Sequence, residues 1–180
     1  SMCGAKRVMI NGLKGEHTNV LIDGIPMHTM LSGFYGLDAA AMAGVGTVEI
    51  ARGAGASLIS PEAIGGTINL VSKIPSKNQI EIDISTGEDG YQKAAVMLTG
   101  INQSGSSQGS LVVQTDTRDQ FDGDSNGVSE SPFLDNQSVT LTGSHDFSYS
   151  TNFRVRLNHT ESEVFGGPVL GDTADSIRSA

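Results

Sequence analysis

Tryptophan is absent from this 180-residue chain, cysteine occurs once, at Cys3, and aromatic residues make up only 5%. A single cysteine excludes an internal disulfide and any zinc site built from several thiolates. It leaves the redox compartment unread. So few aromatics, with hydrophobic residues at 37%, are a thin supply for a large dry core. No run approaches the roughly 20 consecutive apolar residues of a membrane helix, and no basic, apolar, small-residue leader opens the sequence. Basic side chains are scarce as well. Eleven against 20 acidic ones give a formal net charge of −9, which repels phosphate backbones and argues against a nucleic-acid partner. Charged residues, at 17%, are too few for a disordered polyelectrolyte. Catalytic signatures are missing too. Ser57 and Ser60 have no histidine at motif spacing, His17, His28, His145 and His159 are scattered, and there is no nucleophile elbow, phosphate loop or zinc-protease motif. The chain reads as a non-enzyme.

Glycine is abundant, at 23 residues, and its distribution follows a change of pattern near residue 78. Residues 1–77 hold five of the six methionines and short apolar runs broken by Gly and Ala, which reads as a compact α+β piece. Strands are expected at 19–22, 47–51 and 67–72, with a turn at Asp23 and Gly24, a short helix over 37–43 and a helical turn over 61–64. The segment IPSKN, 74–78, marks a boundary. Beyond it the chain becomes antiparallel meander. In QIEIDIS, Ile80, Ile82 and Ile84 share one face while Glu81, Asp83 and Ser85 share the other. Further strands are expected over 93–101, 109–117, 137–146 and 152–160. Their connections are short after the second and fourth strands and long after the third and fifth. Apart from a short first connection, Gly87 to Tyr91, that alternation fits a transmembrane barrel, although a soluble sheet with one face on a core would alternate in polarity too.

The segment VEIARGAGASLISPEAIGGTINLVSKIP, 48–75, resembles the end of the plug domain of TonB-dependent outer-membrane receptors. Plugs of that family close with a Val-Glu-x-x-Arg-Gly segment, a small-residue loop, an Ala-x-Gly-Gly corner and an Ile-Asn-x-x-(Ser/Thr)-Lys strand. Upstream, INGLKGEHTNVLIDGIPM, 10–27, resembles the family's Arg-Gly segment followed by its Val-Leu-(Ile/Val)-Asp-Gly-(Ile/Val)-Pro turn. The resemblance implies a plug domain over 1–77 and the first strands of an outer-membrane β-barrel over 78–180. Plugged barrels have about 22 strands, so the chain is expected to be a fragment with an incomplete barrel, located in the cell outer membrane. The implied function is energy-coupled uptake of a scarce ligand such as a ferric siderophore, haem, cobalamin or metal complex. The implied partners are a TonB-type energising protein, contacted through a missing N-terminal segment, and outer-membrane lipid. The alternative is a soluble or surface-exposed β-rich ligand-binding module.

Several residue roles follow from the resemblance. Glu49 and Arg52 bracket a strand end, and in the family this arginine joins a charged cluster with barrel-wall carboxylates. Gly24, Gly53, Gly65 and Gly66 would form the plug's tight corners. The family's usual Ile-Arg-Gly is here Ile10, Asn11, Gly12, so the second positive charge of the cluster would have to come from Lys6, Arg7 or Lys14. Ile80, Ile82, Ile84, Val139, Leu141, Phe153, Val155 and Leu157 would face lipid, and Glu81, Asp83, Thr140, Arg154 and Arg156 the lumen.

Two donor sets complete the reading. Asp122, Asp124 and Asn126 alternate as in the first half of a calcium loop, with Gly127 at its sixth position. Phe133 stands where the closing glutamate of an EF-hand would be, so only a looser Ca²⁺ site in the 118–136 loop is open; the other reading is a plain solvated loop. Cys3, Met27, His28 and Met30 are soft donors that would suit copper, or else gap-filling residues of a small core.

Overall fold

The computed structural model describes residues 10, 12–13, 18–26, 42–53 and 65–167. They form two sheets joined by residues 73–78. The first contains β1 (Thr18–Ile22), β2 (Ile25–Pro26), β3 (Val45–Arg52) and β4 (Gly66–Ser72) in the order β2-β1-β4-β3. β1 and β4 run parallel, with Leu21 opposite Asn69, while β3 runs antiparallel to β4. Asp23 and Gly24 both take positive φ, 51° and 81°, between paired Ile22 and Ile25. This two-residue turn matches strand twist, and Asp-Gly supplies both left-handed positions at low cost. A small core gathers Ile10, Ile68 and Leu70, flanked by Val20, Ile22 and Val45. Of the helix expected over 37–43, the structure describes the end only, as a 3-10 turn at Met42–Gly44. The turn expected over 61–64 lies outside the described residues.

The second sheet is a meander of β5 (Gln79–Thr86), β6 (Gln92–Ile101), β7 (Ser107–Arg118), β8 (Phe133–Ser148) and β9 (Thr151–Phe165), each antiparallel to the next. It is open, with β5 and β9 at its edges. Register divides its faces. Ile80, Leu98, Leu111, Leu141 and Leu157 lie side by side across all five strands, and Ile82, Val96, Val113 and Val139 form the next row. This face is apolar and open, Ile82 being 68% and Leu157 60% exposed. On the other face Glu81, Met97, Val112, Thr140 and Asn158 are in register, followed by Asp83, Ala95, Gln114, Ser138 and Thr160. Polar side chains are buried there and apolar ones are exposed opposite. That inverts the arrangement of a water-soluble sheet and is what a lipid-facing wall with a filled interior requires.

Candidate functional site: the seam between the sheets

The first sheet sits against the polar face of the second. Ala43 packs on Met97 and Val112, and its N–H donates to Gln114 Oε1 at 3.2 Å. A Cβ on the adjacent Gly44 would stand 3.1 Å from Val112 Cγ2, so a small residue suits this approach. Gln114 passes the contact outward. Its Nε2 donates to Asp116 Oδ2 at 2.6 Å, and Tyr91, at the far turn, donates to Asp116 Oδ1 at 3.2 Å. Burial pushes the Tyr91 phenol above its ordinary pKa, and the Asp116 carboxylate adds to the shift.

At the opposite end the connecting segment is stapled to the wall. Thr99 Oγ1 donates to the Lys77 carbonyl at 2.9 Å, the Ile101 N–H donates to Asn78 Oδ1 at 2.7 Å, and Lys73 pairs with Glu81. Beside this staple Asp23 is a hub. Its carboxylate accepts from the Ser72 N–H at 2.7 Å and Oγ at 2.6 Å, and from Arg156 Nη1 on β9 at 3.3 Å. Arg156 also donates to Ser72 Oγ. The next amide, Gly24 N–H, donates to Asn69 Oδ1 at 2.9 Å, and Asn69 Nδ2 donates to Glu49 Oε2 at 2.8 Å.

Glu49 and Arg52 both lie on β3, but three residues apart in unbroken register, so they point to opposite faces. Arg52 is exposed and makes no ion pair with a described residue. Among the described residues a charged contact between the sheets runs through Asp23 and Arg156, which motif reading missed. Both halves of it were visible, as the Asp-Gly turn and a lumen-facing arginine, but the long-range register that joins them was not. Of the expected corners, Gly53 (φ 78°) and Gly66 (φ 138°) are left-handed or nearly so, and the Gly65 carbonyl accepts from the Gly53 N–H at 3.3 Å.

Cys3, Met27, His28 and Met30, and the residues offered in place of the missing arginine (Lys6, Arg7 and Lys14), lie outside the described residues. In the long loop, 119–132, Phe121 and Ser131 pair and fold the chain back on itself. Asp122, Asp124 and Glu130 then bring carboxylate oxygens within 4.8 Å of one another and could offer hard ligands to a divalent cation. Asn126 acts in the turn: its Oδ1 accepts from the Val128 N–H at 2.8 Å and its Nδ2 donates to Asp124 Oδ2 at 2.9 Å. Asp122 accepts the N–H groups of Asn126 and Gly127 at 3.2 and 2.8 Å, and Glu130 accepts that of Gly123 at 2.7 Å. These bonds hold the loop together with the Phe121–Ser131 pairing and the Ser129 N–H bond to the Gly167 carbonyl. Asp122→Ala is therefore expected to speed proteolytic cleavage within 122–128 in the full-length protein, in EDTA as in Ca²⁺. Unchanged cleavage would show that the loop is held by other contacts.

Residues 1–67 match the TonB-dependent Receptor Plug Domain. The N-terminal part of the chain, residues 1–67, carries the plug domain of the TonB-dependent receptors. It is 27% identical over 160 residues to the vitamin B12 transporter BtuB of Vibrio vulnificus, covering 84% of this chain and 24% of that protein. To BtuB of Photobacterium profundum it is 28% identical over 119 residues, 65% of this chain and 19% of the relative. The crystal structure of the siderophore receptor PirA from Acinetobacter baumannii superposes with a TM-score of 0.75 at 15% identity, covering 91% of this chain and 27% of that one. The chain thus spans about a fifth to a quarter of the length of these relatives. The first sheet is plug and the second has the fold of an outer-membrane barrel wall. In such barrels short turns are periplasmic and longer loops extracellular. Residues 102–106 and 149–150 lie at one end of the sheet, with the Asp23–Arg156 contact toward it, and 87–91 and 119–132 lie at the other.

Proposed function

We propose that this chain is the plug and the first wall strands of a receptor for energy-coupled uptake of a scarce ligand, in the class of cobalamin, ferric siderophores, haem or other metal chelates. The observation that carries the reading is a folded plug seated on the polar face of a wall whose opposite face is apolar and exposed. A barrel so filled is closed to diffusion. Passage therefore needs the plug to move, and a TonB-type protein in the periplasm supplies the pull. The residues contribute binding and rearrangement, with no covalent step.

Cells producing the full-length receptor are tested with labelled cyanocobalamin and with a panel of ferric siderophores, with and without the energising protein. Accumulation of one ligand only when the energising protein is present is expected. Uptake indifferent to that protein overturns the reading.

Arg52 is proposed to meet carboxylates on wall strands beyond those of this chain. Arg52→Ala should then lower uptake roughly tenfold while initial binding changes little, the pattern of a residue that acts after the ligand has bound. Equal loss of binding and uptake would make Arg52 a ligand contact or a folding residue.

A further inference from the structure

We propose that Arg156 is the plug's anchor on the wall, fastening the Asp23–Gly24 turn and the end of β4 to β9, and that the plug cannot rearrange without breaking this contact. Three observations converge on it. First, one guanidinium serves two plug residues, Asp23 at 3.3 Å and the Ser72 hydroxyl, so it holds both the β1–β2 turn and the last residue of β4. Second, the pair is partly withdrawn from water, with side-chain exposures of 24% for Arg156 and 12% for Asp23, where salt screens a charge pair less than at the surface. Third, Asp23 is itself fixed to β4, through its own N–H to the Leu70 carbonyl at 3.0 Å and through both carboxylate oxygens to Ser72. A pull on β1 is thereby delivered to the Asp23–Arg156 pair, and a pull on β4 to that pair together with Lys73–Glu81 just beyond the strand.

The position of the pair strengthens the argument. Arg154 and Arg156 share the interior face of β9 and line one small cleft with Asp23, Ser72 and Lys73. Only Arg156 among the described basic side chains reaches Asp23. Of the other plug-to-wall contacts described above, Lys73 with Glu81 and Thr99 with the Lys77 carbonyl belong to the segment joining the sheets, and Ala43 to Gln114 is uncharged and sits higher in the sheet. The anchor is charged, and a charged pair is readily remade in a wetted interface after the plug has moved.

The proposal rests on the reading of a movable plug, so its test reads plug opening without any transported ligand. The full-length receptor is reconstituted in planar bilayers, and KCl conductance is followed as urea is raised. Asp23→Asn keeps the left-handed turn and an acceptor for the Ser72 N–H while removing the charge; Arg156→Gln removes the partner. Each is expected to raise the plug-open fraction roughly tenfold at the urea concentration that begins to open the parent, and the double variant is expected to go no further than the stronger single one. Arg156→Lys, with the charge but not the fork, should fall between. Additive effects of the two changes, or singles that open with the parent, overturn the anchor. Uptake indifferent to the energising protein would instead overturn the transport reading and leave the conductance result standing.

Discussion

Arginine in place of Leu157 will destabilise the full-length receptor in a bilayer by about 2–4 kcal/mol, the cost of a cation near the hydrocarbon midplane, while arginine at the next position, Asn158, will cost much less. The two residues are neighbours in sequence and opposites in environment. Leu157 stands in register with Leu141 on the outer face, between Val155 and His159, whereas Asn158 faces inward and accepts from Thr140 Oγ1 at 2.6 Å. The interior face already carries Arg154 and Arg156, so one more cation there is met by water and polar groups. Urea titration of the receptor in phospholipid vesicles, read by the heat-dependent mobility of the folded barrel, measures both. Equal losses at the two positions would remove the assignment of this face to lipid.

The division of the strands into two faces was readable from the sequence alone, for a simple physical reason. Strand side chains alternate, so Ile80, Ile82 and Ile84 must share a face whatever the fold around them. What alternation cannot say is which face meets water, because a soluble sheet produces the same string. The structure decides it by burial: Gln114, Asp116, Asn136 and Ser138 are buried while the isoleucines opposite are open.

The candidate site was legible to a smaller degree. Glu49 and Arg52 are close in sequence and carry opposite charge, yet an odd spacing along a strand separates them, and Glu49 turns to Asn69 within the plug. Asp122, Asp124 and Asn126 alternate in the chain, but the fold-back at Phe121 and Ser131 brings Glu130 to the two aspartates and leaves Asn126 to close the turn. Asp23 and Arg156 lie 133 residues apart. No local pattern joins them, since their meeting depends on how the plug is seated on the wall. In each case the residue types were visible, whereas the partner was set by register or by a hairpin closing at a distance.

Gly66 shows how a motif glycine becomes a mechanical requirement, and Gly66→Ala is expected to be the most damaging small change in the plug. Its φ of 138° lies where side chains are strained, at a cost on the order of 1–3 kcal/mol. A Cβ built there would also lie 2.4 Å from the Ala51 carbonyl oxygen and 3.2 Å from Ile10 Cδ1. The first of these is backbone and cannot swing away. Relief must come from parting β3 and β4 where Arg52 opposes Gly66, at the edge of the core built on Ile68 and Leu70. Gly53 provides the control. Its φ is 78°, but a Cβ there would meet nothing within 4 Å, so Gly53→Ala carries only the backbone strain, about 1 kcal/mol. Hydrogen exchange of the full-length receptor should show the amides of 45–52 and 66–72 losing protection in Gly66→Ala and keeping most of it in Gly53→Ala. If the two variants exchange alike, the close approach of Ala51 does not constrain the plug, and only the turn conformation explains the glycine.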